Sequence, residues 1–206
     1  MIKKVFIENS DSYYDTMFKG RGWKVVSSPH DASLIQFTGG EDVDPSLYGE
    51  EKHPSTRSNP RRDAHERHLY HQFVGKVPLA GICRGGQFLN VMSGGKMWQH
   101  IDGHAGGSHK TTFTGRVEDE VSVTSSHHQM MRPGPEGIIL GIASRSTRKS
   151  TANSTVESMD NTDVEAVYYP NTQSICFQPH PEWVALNHPC QEVYFKLLNT
   201  YLFNNL

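Results

Sequence analysis

The sequence predicts an α/β fold built on a largely parallel sheet with antiparallel additions. Three observations carry this expectation. Short apolar, β-branched runs alternate with helix-length segments through the first half of the chain. Residues 77–82 (VPLAGI) are apolar throughout, as a strand covered on both faces must be. Beyond Gly106-Gly107 the runs lie close together with turn signals between them, the pattern of neighbouring antiparallel strands.

In chain order, residues 5–7 read as the first strand and 11–19 as a helix. Strands at 23–26 and 34–37 follow, the second opening into Thr38-Gly39-Gly40-Glu41-Asp42-Val43-Asp44-Pro45, a loop by its glycines and proline. Residues 49–62 are polar and broken by Pro54 and Pro60, so they form an exposed loop. Asp63 is the expected N-cap of a helix reaching about residue 74, with Leu69 and Phe73 one turn apart on its buried face. The 77–82 strand then runs directly into a helix from Arg84 to about Met92. Further strands are expected at 117–124, 138–143, 164–169 and 174–177. Residues 144–155, basic and rich in Ser and Thr, read as a solvated loop or hairpin tip. A last helix from about Pro189 to Phe203 repeats Tyr194, Leu197, Leu198, Tyr201 and Leu202 on one stripe, which belongs to the core. No repeat or linker divides the chain, so one domain over residues 1–206 is expected.

Composition narrows the function classes. A net charge of −2 gives no electrostatic reason to expect nucleic acid or an anionic membrane as partner. No run approaches the roughly 18 apolar residues of a membrane span. The start, MIKKVFIENS, lacks the apolar stretch of a secretory signal, so a cytoplasmic location is expected. The three cysteines are odd in number and show no CxxC pair, which argues against a disulfide framework or a zinc ribbon.

Gly81-Ile82-Cys83-Arg84-Gly85 is the most informative segment. A nucleophile at a sharp strand-to-helix turn needs small residues two positions to either side, and G-x-C-x-G supplies them. The helix N-terminus behind Cys83 favours its thiolate, and the Arg84 N–H points where an oxyanion forms during acyl transfer. A thiolate needs a base and the base an orienter. Gln178-Pro179-His180-Pro181-Glu182-Trp183 offers both directly after a predicted strand, giving a Cys83–His180–Glu182 triad. Cys176, inside a strand, and Cys190, at a helix start without glycines, are expected to be structural.

GICRGGQFLNVMSGG and QPHPEW resemble the nucleophile and terminal motifs of class I glutamine amidotransferases. GGEDVDPSLYGEE, SSHHQ, the Asp63-Ala64-His65-Glu66 helix start and DVEAV (163–167) are similar to the γ-glutamyl-γ-aminobutyrate hydrolase branch, peptidase family C26. The resemblance implies a flavodoxin-like three-layer sandwich and a γ-glutamyl thioester on Cys83. It implies an oxyanion hole from the N–H groups of Gly40 and Arg84, with Gln87, Ser125, Ser126, His127 and His128 lining the glutamyl pocket. Gly86, Ser126 and Pro179 depart from the family pattern, at positions tied to leaving-group choice rather than to the triad.

The expected partner is a small γ-glutamyl substrate, and no cofactor is implied. Two activities fit: a free-standing hydrolase of γ-glutamyl amides, or the glutaminase component that feeds ammonia to a separate synthetase or ligase subunit. A homodimer is compatible with either. The histidines at 65, 68 and 71 and at 100, 104 and 109 invite a zinc reading. Leu69 breaks the H-E-x-x-H pattern and no carboxylate stands at ligand spacing beside them, so surface histidines and no metal are expected.

Overall fold

The computed structural model describes residues 2–157 and 163–203. Strand and helix alternate first: β1 (Lys4–Ile7), α1 (Ser12–Gly20), β2 (Lys24–Val26), β3 (Leu34–Phe37), α2 (Pro60–Phe73), β4 (Leu79–Ile82) and α3 (Arg84–Met92). Strands then dominate: β5 (Lys96–Trp98), β6 (His100–Ile101), β7 (Ser108–Phe113), β8 (Asp119–Thr124), β9 (Met130–Arg132) and β10 (Ile138–Ala143). They continue through β11 (Lys149–Ser150), β12 (Thr155–Val156), β13 (Val164–Tyr169) and β14 (Ser174–Phe177). The chain closes with α4 (Pro189–Leu197), which widens into a π-helix at Leu198–Phe203.

One sheet runs β2-β1-β3-β4-β14-β13-β10-β7-β8. Its first five strands are parallel, and every pairing from β14 onward to β8 is antiparallel. The two halves differ as their environments require. In the parallel half β3, β4 and β14 are buried at every position, because helices cover both faces. One apolar cluster joins the sheet to α1 and α4 through Phe18, Val193, Tyr194 and Leu198, and a second joins it to α2 and α3 through Leu69, Phe73, Phe88 and Leu89. Three layers result. In the antiparallel half β7 alternates exposed and buried positions, with one face turned to water.

Local chemistry explains the helix starts. Asp11 caps α1 by accepting from the Tyr13 and Tyr14 N–H groups. Helix α2 begins three residues earlier than Asp63. Asn59 is its cap, accepting from the Arg62 N–H, and Pro60 fills the first position, where a missing N–H costs nothing. Asp63 is thereby released for a tertiary role.

Two further differences are informative. Strand β7 carries no aliphatic signal in the sequence, because its buried positions are His109, Thr111 and Phe113. The 144–155 segment contains β11 and part of a hairpin with β12, and Lys149 within it is buried against Asp163.

Candidate active site

Parallel strands deliver their following residues to one edge of the sheet. Glu8 to Asp11 follow β1, Thr38-Gly39-Gly40 follow β3, Cys83 follows β4, and Gln178 to His180 follow β14. Open α/β sheets place ligands at this edge.

Cys83 sits between β4 and α3 at φ 49°, ψ −113°, a left-handed conformation unusual for a residue with a side chain. Its neighbours make the turn possible. A Cβ at Gly81 would lie 2.3 Å from the Gly85 backbone, and one at Gly85 would lie 2.3 Å from the Phe37 carbonyl oxygen. The Cys83 N–H donates to the Phe177 carbonyl at 2.7 Å, pinning the elbow to β14.

His180 is fixed on every side. Its N–H donates to Thr124 Oγ1 at 2.6 Å, and its ring stacks flat on Trp183 with centroids 3.6 Å apart. Nδ1 lies 2.6 Å from Glu182 Oε1, so this nitrogen carries the hydrogen and Nε2 is left for the Cys83 sulfur. Burial alone would lower the imidazole's affinity for its proton. The Cys83 sulfur and the Glu182 carboxylate outweigh it and hold the group above its ordinary value. Gln178 Nε2 approaches the same sulfur at 3.6 Å. Burial pushes the other two thiols up, Cys190 to about 12, which keeps them inert.

Two adjoining cavities open onto Cys83. The larger, about 350 Å³, is bounded by Asn9, Asp11, Gly39, Gly40, Ser126 and Trp183. The smaller, about 140 Å³, is bounded by Glu41, Asp42, Arg57, Gln87, His127 and His128. Below the elbow the Arg84 guanidinium turns away from both and into the protein, where it pairs with Asp63 and Glu66. Arg62 Nε joins Glu66 from the other side at 2.8 Å. The Arg84 side chain thus clamps α3 to α2. Burial pulls the guanidinium down to about 10.

The model of the peptidase C26 family matches residues 31–182, a span that includes the elbow, the whole lining of the smaller cavity and the His180–Glu182 pair. The chain belongs to the peptidase C26 family. It is 36% identical over 135 residues to a candidate glutamine amidotransferase of Mycobacterium tuberculosis, covering 56% of this chain and 43% of that protein. It is 33% identical over 113 residues to the carbamoyl phosphate synthase small chain of Methanococcus vannielii, covering 52% of this chain and 27% of the relative. The chain therefore spans less than half the length of these relatives. Its fold is that of class I glutamine amidotransferases: a Thermotoga maritima glutamine amidotransferase superposes with a TM-score of 0.62 at 17% identity, over 96% of this chain and 84% of that one.

In this peptidase C26 chain the sequence-predicted residues part into two groups. Cys83, His180 and Glu182 come together, with Gly40 beside Cys83 at the wall of both cavities. Ser126 also borders both, and Gln87 borders the smaller one while its Nε2 donates to Gln178 Oε1 (3.1 Å) and the Gln129 carbonyl (3.3 Å). His128 stands 3.1 Å from Asp42, whose carboxylate raises its affinity for a proton. Ser125 is elsewhere: it is buried and donates to the His104 carbonyl at 2.9 Å. His127 is buried in the wall of the smaller cavity, and burial pulls it down to about 4.

Sequence reasoning misses Tyr14, Arg57 and Gln178. Gln178 stands in the QPHPEW motif and is recoverable from it. Tyr14 carries no sequence signal, yet its hydroxyl accepts the Gly39 N–H at 2.9 Å and sits beside Glu182. The surface expectation holds for His65, His68 and His71, which are exposed on α2. It fails for His104 and His109, which are buried against Asp163 and Glu165 of the β13 region. Those carboxylates lie more than fifty residues along the chain, outside any local ligand spacing. Among the described residues no helix is long and apolar enough to cross a membrane.

Proposed function

We propose that the chain is a cysteine-dependent hydrolase of γ-glutamyl amide bonds. One observation carries the reading: an imidazole held between the Glu182 carboxylate and the Cys83 sulfur, at an elbow that faces two cavities of different chemistry. The smaller cavity has acidic groups, Glu41 and Asp42, beside the basic groups Arg57 and His128, and Asp42 raises the affinity of His128 for a proton. That pairing suits the α-amino and α-carboxylate groups of a glutamyl end. The larger, partly apolar cavity under Trp183 suits the amine.

In the proposed reaction the Cys83 thiolate attacks the amide carbon, and the carbonyl oxygen becomes an oxyanion facing the Gly40 and Arg84 N–H groups. His180 gives its Nε2 proton to the departing amine as the C–N bond breaks, leaving a γ-glutamyl thioester. Water then gives a proton to His180 and attacks the thioester, which releases glutamate and restores the thiolate–imidazolium pair. Glu182 holds the ring and its charge throughout.

The experiment is incubation of purified protein with glutamine and a panel of γ-glutamyl amines. Glutamate release without any added protein, and a glutamyl adduct on Cys83 seen by mass spectrometry, are the expected results. A second reading, the glutaminase component of a synthetase, is favoured by exposed Trp183 and Leu186 beside the mouth and by the carbamoyl phosphate synthase relative. It predicts glutamine turnover that stays low until a synthetase is added.

A further inference from the structure

Behind the wall of the smaller cavity lies a second group of ionisable side chains that the proposed reaction does not use. His104 follows β6, His109 is on β7, His127 is in the loop after β8, and Glu165 is on β13. None is more than 7% exposed. Three imidazole nitrogens converge on one carboxylate oxygen. From Glu165 Oε1, His109 Nε2 is 3.0 Å away, His104 Nδ1 3.5 Å and His127 Nε2 3.7 Å.

Groups outside the cluster set the hydrogens on two of these rings. His104 Nε2 lies 2.9 Å from Asp163 Oδ2, and a carboxylate oxygen accepts, so this nitrogen bears the hydrogen. His127 Nδ1 lies 2.9 Å from the Gln129 carbonyl, and the same logic applies. Each ring therefore turns a lone pair toward the Glu165 carboxylate. Ser125 Oγ stands 3.2 Å from His104 Nδ1 but donates to the His104 carbonyl. Both Glu165 oxygens, His127 Nε2 and both ring nitrogens of His109 are buried without a hydrogen bond. Lone pairs facing a buried anion repel it unless a cation stands between them. A proton on His109 would answer the carboxylate and leave two lone pairs unanswered. A divalent ion answers all four atoms. The charges agree, since Asp163 is matched by Lys149, and Glu165 is paired with no lysine or arginine among the described residues.

We propose that His104 Nδ1, His109 Nε2, His127 Nε2 and Glu165 Oε1 form a four-coordinate site for a borderline divalent cation, zinc above all. Zinc bonds of about 2.0–2.1 Å set at tetrahedral angles place ligand atoms about 3.3 Å apart. The three separations from Glu165 Oε1 bracket that value, and the ligand atoms of His104, His109 and Glu165 all lie within 4.8 Å of one another, so binding draws these rings and that of His127 inward onto the ion. Imidazole donors select zinc-like ions over magnesium or calcium. Asp163 on His104 and the Gln129 carbonyl on His127 are the outer hydrogen-bond partners that orient such ligands. With all four positions supplied by protein, the role is structural. The ion ties the 125–129 segment, which brings Ser126 and His128 to the cavities, onto β7 and β13.

The test uses tag-free Cys83→Ser protein, in which the nucleophile cannot compete for metal. It is stripped with a chelator, titrated with Co(II) and then challenged with Zn(II). One equivalent of Co(II) with the visible bands of a four-coordinate site, displaced by zinc, is expected, together with a higher melting temperature when zinc is present. His109→Ala, whose ring nitrogens have no polar partner but Glu165 among the described residues, and Glu165→Gln should lose both signals at unchanged circular dichroism, while His68→Ala keeps them. Absence of stoichiometric metal in the stripped and reloaded parent, with a melting temperature indifferent to zinc, overturns the proposal even if the variants fail to fold. So does His109→Ala binding as the parent does. Because the readout is metal content rather than turnover, the result is independent of the γ-glutamyl reading.

Discussion

Two histidine–carboxylate assemblies sit side by side at one edge of the sheet and handle the same chemistry in opposite ways. They are joined at Gln178, whose side chain reaches the Cys83 sulfur while its N–H donates to the Glu165 carbonyl at 2.8 Å. In the cleft, His180 has a different partner on each nitrogen, so a proton can enter on one side while the other side holds the ring. In the cluster, His104 and His127 are anchored by outward hydrogens and turn lone pairs inward, an arrangement that holds a cation rather than passing a proton. Cys83 and His180 line the larger cavity directly, whereas the cluster meets a cavity only through His127 in the wall of the smaller one. A histidine beside a carboxylate therefore has no fixed meaning. Which ring nitrogen is already taken, and whether solvent reaches the other, decides between catalysis and support.

The sharpest way to break this contrast is Cys83→Ala. Removing the nucleophile of a triad should lower γ-glutamyl hydrolysis by at least about a thousandfold, measured as glutamate release, with the melting temperature little changed. Retained activity would move the chemistry away from the elbow. Next comes Arg84→Met. It leaves Asp63 and Glu66 buried without their partner, and breaking a buried pair costs about 3–5 kcal/mol, read by urea unfolding. Gly85→Ala forces a Cβ against the Phe37 carbonyl and should cost roughly 1–3 kcal/mol, with activity falling as the elbow shifts. Both changes strike the cleft's foundation, so metal binding at the cluster should persist in whatever fraction remains folded.

The smallest effect concerns pH. His180 is held above its usual value of about 6.5. Its contribution to stability is therefore complete below about 6.5 and is lost as pH rises through the folded value. Melting curves should show wild type losing stability on the alkaline side more steeply than Cys83→Ala, which lacks the sulfur that raises the imidazole. Identical slopes would mean that the Cys83 sulfur does not raise the His180 imidazole.

The cleft is legible in the sequence because its parts are local. G-x-C-x-G marks an elbow through its two glycines, and His180 and Glu182 stand two apart, so short motifs are enough to single out the three side chains that the cleft brings together. The parallel half is legible for a similar reason: strands buried on both faces are apolar at every position. Asp63 misleads because Asn59 and Pro60 compete with it for the helix start, and its carboxylate is needed by Arg84, twenty-one residues on. Strand β7 escapes notice because Phe113 is the one apolar residue on its buried side, the other two being Thr111 and His109, which meets Glu165.

The sequence by itself determined the alternation of strand and helix, the elbow and the terminal histidine, since each is marked by a pattern within a few residues. Only tertiary structure decided that His104, His109 and His127 meet Glu165. Glu165 lies thirty-eight or more residues beyond the three histidines, and sheet pairing of β7, β10 and β13 brings its strand within reach of them. The same histidines on an open surface would be ordinary solvated side chains. Buried beside a carboxylate with their lone pairs turned inward, they make a site.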